Sequence, residues 1–137
     1  MYQNIALPID LAHADQLNKA IKTGTDLAKH YNATLTFVGV TGPAPSSVAN
    51  SPEEYADKLQ QFAADQAAEV NIEIQSKAVV SKDRAVDLDK TLDNTFHDMG
   101  VDLVVMASHI PGLKDYVFHS NAGYLASHSD LSVMVVR

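Results

Sequence analysis

Cysteine is absent from the sequence, which excludes disulfides, thiol catalysis and thiolate metal sites while leaving the redox compartment open. Basic residues are scarce: Lys and Arg number 10 against 17 Asp and Glu, for a formal charge of -7, and no basic run is present. Non-specific nucleic-acid binding needs clustered cations to displace counterions, so DNA and RNA are excluded as partners. Long apolar runs are missing too, and nothing approaches the roughly 20 residues that span a bilayer. The start, Met1-Tyr2-Gln3-Asn4, lacks the cationic region of a signal peptide, which points to a cytoplasmic location and no membrane insertion.

What is present suits one small domain over residues 1–137. Hydrophobic residues at 46% and charged residues at 20% lie in the ordinary globular range and argue against disorder or a fibrous repeat. The apolar runs Ile5–Ile9, Thr34–Val40 and Leu103–Ala107 read as buried strands, as do Ile72–Val80 and Val133–Val136. Leu17, Ala20, Ile21, Gly24, Ala28 and Tyr31 recur at helical steps between the first two. Residues 41–50, with two prolines and no periodicity, predict a mobile loop. Ser51, Pro52, Glu53 and Glu54 then open a helix running to about Val70. Leu88, Leu92, Phe96 and Met99 mark another, closed by Gly100 as a left-handed cap. Strands alternating with helices imply an α/β fold: an open, mostly parallel five-stranded sheet with helices on both faces.

Ligands of such sheets sit beyond the carboxyl ends of the strands, where helix N-termini offer unpaired N–H groups. Three segments are candidates. In Pro8-Ile9-Asp10 a carboxylate at a strand end is placed to accept from ribose hydroxyls or an adenine amine, or simply to cap a helix. Ala107-Ser108-His109-Ile110-Pro111-Gly112 is a polar exit from the fourth strand. In His119-Ser120-Asn121-Ala122, Ser120 is placed to cap the final helix, alone or while holding a phosphate. The sequence has six histidines, and His13, His109 and His119 are placed toward the crevice, but no tight spacing such as His-x-x-x-His accompanies them, so no metal is expected.

The strand ending in Asp10, the strand ending in Gly39-Val40 and the stretch Ala107 to Arg137 together resemble the universal stress protein family over the whole chain. Ala107-Ser108-His109 followed by Pro111, then Ser120-Asn121-Ala122 and the ending Ser132 to Arg137, are similar to its F/G-type branch. The resemblance implies a Rossmann-like, adenine nucleotide alpha hydrolase-like sheet with strand order 3-2-1-4-5. It also implies non-enzymatic binding or sensing of an adenine nucleotide, ATP or AMP, in a stress response, and a homodimer joined through the C-terminal strand. Carried over by position, it puts Asp10, with Pro8 ahead of it, near the ribose or adenine and the Val40 backbone near the adenine. Ala107, His109, Ser120 and Asn121 fall near the phosphates, and Ile110 and His119 mark where the pocket differs.

The family's phosphate cradle is Gly-x-x-Gly, nine residues, then Gly-Ser or Gly-Thr. Here Ala107, Ile110 and His119 stand at the glycines, the spacer is one residue short, and Ser120 alone is kept. Each added Cβ takes space from an approaching phosphate oxygen, and Ile110 sets an apolar branch beside an anion. AMP or an adenosine-like ligand therefore fits better than ATP, and a protonated His119 would partly compensate. The alternative is a ligand-free dimeric interaction module with a degenerate pocket. An enzyme is not expected: a receiver's acidic magnesium cluster and a Gly-x-Ser-x-Gly elbow are absent, and Lys114 and Asp115 read as solvent-exposed.

Overall fold

Apolar runs without charge cannot stop at one covered face, and here Asn4–Pro8, Thr34–Thr41 and Leu103–Ala107 form the centre of a five-stranded parallel sheet flanked by helices on both sides. The computed structural model describes residues 1–107 and 118–137, leaving out the side chains of residues 84–87 and 118–122. In chain order the elements are β1 (Asn4–Pro8), a 3₁₀ segment (Leu11–Gln16), α1 (Asn18–Tyr31), β2 (Thr34–Thr41) and α2 (Pro52–Val70). They continue with β3 (Ile74–Val80), α3 (Arg84–Asp98), β4 (Leu103–Ala107), α4 (Phe118–His128) and β5 (Ser132–Val136). All pairs in the sheet are parallel, as the alternation of elements predicts, and the order β3-β2-β1-β4-β5 is the one the resemblance implies. No helix among the described residues is long and apolar enough to cross a membrane.

The period-two geometry of the strands sorts the core into two layers. Ile5, Leu7, Leu35, Phe37, Leu103 and Val105 pack with Leu17 and Ile21 at α1 and with Tyr55 and Leu59 of α2. Ala6, Val38, Val104 and Met106 point the other way, onto Leu88, Leu92 and Phe96 of α3 and Leu125 of α4. At the amino end of the sheet the Asp102 carboxylate accepts from the N–H groups of Gln3 and Asn4 at 2.9 and 3.0 Å, and ties β1 to the approach of β4.

Helix boundaries follow local chemistry. Ser51 Oγ accepts from Glu54 N–H at 3.1 Å, with Pro52 in the first helical position. The backbone N–H of Asn50 donates to Glu54 and, with Lys58 beside it, holds that carboxyl below its ordinary range. Helices α1 and α2 end on Asn32 and Asn71, which adopt left-handed φ of 52° and 56°, a conformation asparagine tolerates better than most residues. Gly100, at φ 69°, follows α3 as the sequence predicts.

The connection after β2 departs from expectation. It is tied down: Ser46 N–H donates to Ala49 O at 2.8 Å, Ser46 Oγ accepts from Val48 and Ala49, and Lys58 of α2 donates to Val48 O. Ala49 is buried in the core with Val48 packed against it, so the segment is anchored by two apolar side chains and by a lysine from the following helix. Gly39 is required by close approach: an added Cβ would stand 2.4 Å from Tyr55 Oη and 3.0 Å from Leu59 Cδ2. Gly39→Ala is expected to cost about 1–3 kcal/mol in denaturant unfolding, with a smaller loss in a Tyr55→Phe background.

A second tie joins α3 to the turn before β5. His97 Nε2 pairs with Asp130 Oδ1 at 2.8 Å, while Nδ1 donates to the Asp93 carbonyl at 2.8 Å. The Asp93 carbonyl and then the Asp130 carboxylate raise the His97 pKa above its ordinary 6.5, and the His97 hydrogen bond lowers that of Asp130 below 3.8. Because the folded His97 value is raised, its contribution is complete below 6.5 and fades as pH rises through the folded value. The Asp130 part is present above 3.8 and is lost as pH falls through its depressed value. The stability difference between the wild type and His97→Gln, measured by urea unfolding, should therefore be larger near about pH 5.5 than near about pH 9.

Candidate functional site

The two neighbours of β1 follow it for unequal distances. Pairing with β2 runs from Asn4–Thr34 to Pro8–Val38, whereas pairing with β4 covers only Ile5–Leu103 and Ala6–Val104. Beyond Ala6 the two strands part, while β4 continues to Ala107 bonded to β5. Pro8 offers no N–H to a ladder, and Ile9 N–H turns to Val38 O at 2.8 Å. The parting opens at the carboxyl ends of β1 and β4, on either side of which the chain order reverses, the place where open α/β sheets take ligands.

Asp10 stands at this opening, 9% exposed, with extended backbone angles of φ -96° and ψ 103°. Its Oδ1 accepts from Ala12 N–H at 3.1 Å, so the capping role suggested by the sequence is present. Its Oδ2 accepts from His13 Nδ1 at 2.9 Å. A carboxylate only accepts, so the hydrogen in that bond belongs to the imidazole. Each carboxylate oxygen has about two acceptor sites, and among the described residues one is used on each. The group is thus buried, oriented and still able to accept from a ligand's hydroxyl or amine.

The other expected positions divide by region. Val40 lies near the carboxyl end of β2, buried and paired with Val79 of β3. Ala107 is the last residue of β4, half-buried and paired with Val136. Pro8, Asp10, Val40 and Ala107 are therefore gathered at one end of the sheet. His109 and Ile110 lie outside the described residues, and the side chains of His119, Ser120 and Asn121 do too. Ser120 does not stand before the final helix as a cap would: it lies within α4, whose described residues run from Phe118.

The role of His13 as a partner of Asp10 was not drawn from the sequence. Its signal is the three-residue step from Asp10 to His13, which brings two side chains together only once the intervening segment coils. Among the described residues, no group of three or more His, Asp or Glu is placed to hold a metal ion. A separate depression of about 370 Å³ lies at the opposite, amino end of the sheet, between Lys29, Asn32, Thr34, Ile72 and Glu73, away from the crevice.

The similarities to known proteins agree with this architecture. Universal stress protein G of Escherichia coli O157:H7 is 24% identical over 142 residues, covering 100% of each chain. The universal stress protein UspA of Lactobacillus plantarum superposes with a TM-score of 0.72 at 17% identity, over 99% of this chain and 98% of its own. A universal stress protein of Archaeoglobus fulgidus solved in complex with dAMP gives 0.69 at 12% identity, over 99% and 98%. One from Arabidopsis thaliana with AMP bound gives 0.65 at 10% identity, over 98% and 90%. The sequence model of the family described as "Universal stress protein family" matches residues 1–137, and with the sheet order and full-length similarities above, the chain belongs to that family.

Proposed function

We propose that the crevice between β1 and β4 binds an adenosine monophosphate, and that the binding serves sensing in a stress response and not catalysis. The observation that carries this is Asp10: a buried carboxylate, oriented by two donors, at the point where β1 and β4 part. A carboxylate there accepts from vicinal ribose hydroxyls or from the adenine amine without help from a metal. Val40 lies at the same end of the sheet, on the strand next to β1, in reach of the role of an adenine-edge backbone.

The monophosphate follows from the residues on the phosphate side. Ala107, Ile110 and His119 replace the glycines that would let a triphosphate lie against the backbone, which leaves Ser120, Asn121 and His109 for one phosphate group. Solved relatives hold adenine nucleoside monophosphates: cAMP in one, dAMP in another and AMP in a third. Catalysis finds no support in the described residues, since Asp10 has neither a second carboxylate nor a lysine among its bonded partners for phosphoryl chemistry.

A homodimer through β5 belongs to the same reading. This strand is an edge of the sheet, and Met134 and Val135 are 39% and 41% exposed along it. An apolar edge strand left open invites pairing, and a second copy across a two-fold axis closes it. The proposal places the protein in the cytoplasm, where adenine nucleotides are abundant.

Calorimetric titration tests the ligand. AMP should bind more tightly than ATP, and Asp10→Ala should weaken AMP by about tenfold to a hundredfold, the worth of a hydrogen bond to a charged group. Absence of heat and of thermal shift with AMP, ATP and adenosine would overturn the sensor and leave the ligand-free interaction module. Met134→Asp should convert a sedimenting dimer to monomer, and an unchanged mass in that variant would remove β5 from the interface.

A further inference from the structure

The 3₁₀ segment after Asp10 contains one residue that leaves helical geometry, His13, with φ -132° and ψ 29°. Its neighbours continue the coil, and His13 N–H still donates to Asp10 O at 3.0 Å. The ring comes back over its own turn and brings Nδ1 to 2.9 Å from Asp10 Oδ2. The pair is sheltered, with the Asp10 side chain 8% and the His13 side chain 23% exposed, so this bond is stronger than a solvent-facing one would be.

Simple capping does not require this bond. The Ala12 N–H on Oδ1 already satisfies the cap, and a carboxylate held by one oxygen remains able to swing about its χ2 bond. The second donor, on the other oxygen, fixes the plane of the group. We propose that His13 is a positioning residue: by donating from Nδ1 to Asp10 Oδ2 it locks the carboxylate in the orientation that receives the nucleoside. The inference rests on the reading of Asp10 as a nucleoside-binding group, and names the residue that makes that group selective in direction. It follows that the imidazole carries its hydrogen on Nδ1, the tautomer that free histidine disfavours.

Two measurements test it. In the folded wild type, ¹⁵N chemical shifts should report a protonated Nδ1 on His13, and the share of rings protonated there should fall in Asp10→Ala. A wild-type ring already in the Nε2–H form overturns the inference whatever the ligand does. In calorimetric titration with AMP, His13→Ala should weaken binding by about threefold to tenfold, the range of one oriented hydrogen bond. His13→Asn, which keeps an N–H donor on a shorter side chain, should recover part of that loss. The Asp10→Ala/His13→Ala double variant should bind no more weakly than Asp10→Ala alone, because His13 acts only through the carboxylate. Unchanged affinity in His13→Ala, or losses that add in the double variant, overturns the positioning role alone. A wild type that binds no AMP overturns the nucleoside reading and this role with it.

Discussion

Strand β1 is bonded along both edges and covered on both faces, and the remaining elements are arranged around that requirement. A parallel strand in this position can carry no charge, since each side chain meets either the α1–α2 layer or the α3–α4 layer. Ile5 and Leu7 fill the first and Ala6 the second. Ala6 shares its layer with Phe96 and Leu92 of α3 and with Val104, its partner on β4. The same two-sided burial decides where polar chemistry can stand. It is excluded from Asn4's successors until the strand ends, and the first charged side chain after that start is Asp10.

The opening at the carboxyl end is a consequence of unequal pairing. Strand β2 follows β1 to Pro8, β4 stops following it at Ala6, and β5 takes over the far side of β4. Into that gap the chain delivers a carboxylate that must satisfy two demands. It has to cap the coil that turns the chain toward α1, because the first N–H groups of that coil have no partners of their own. It also has to stay able to accept from outside. The Ala12 amide and the His13 ring meet the first demand from one side and leave the second intact. Under the proposed function, capping and ligand binding are two uses of one oriented group.

Elsewhere the structure spends side chains on anchoring its connections. Lys58 and Ser46 hold the segment between β2 and α2, Asp102 holds the amino ends of β1 and β4 together, and His97 reaches from α3 to Asp130. None of these joins residues close in sequence except within the Ser46 turn.

The sequence by itself determined the five strands, the cap at Ser51, the glycine after α3 and the alternation that gives a parallel sheet, because these depend on the period of apolar residues and on chemistry within four residues. It also singled out Asp10, since a lone carboxylate directly after an apolar strand has few places to go. Resemblance, not periodicity, supplied the strand order. What only the tertiary structure decided are contacts between distant residues or conformations set by packing. The separation of β1 from β4 after Ala6 is a property of two strands 98 residues apart in pairing. The tying of residues 46–49 depends on a lysine from the next helix. Ser120 lies within α4, which a serine preference for caps could not reveal. The His13–Asp10 bond depends on how the segment between them coils, which no pattern of residue types encodes, because local propensity is weaker than tertiary context.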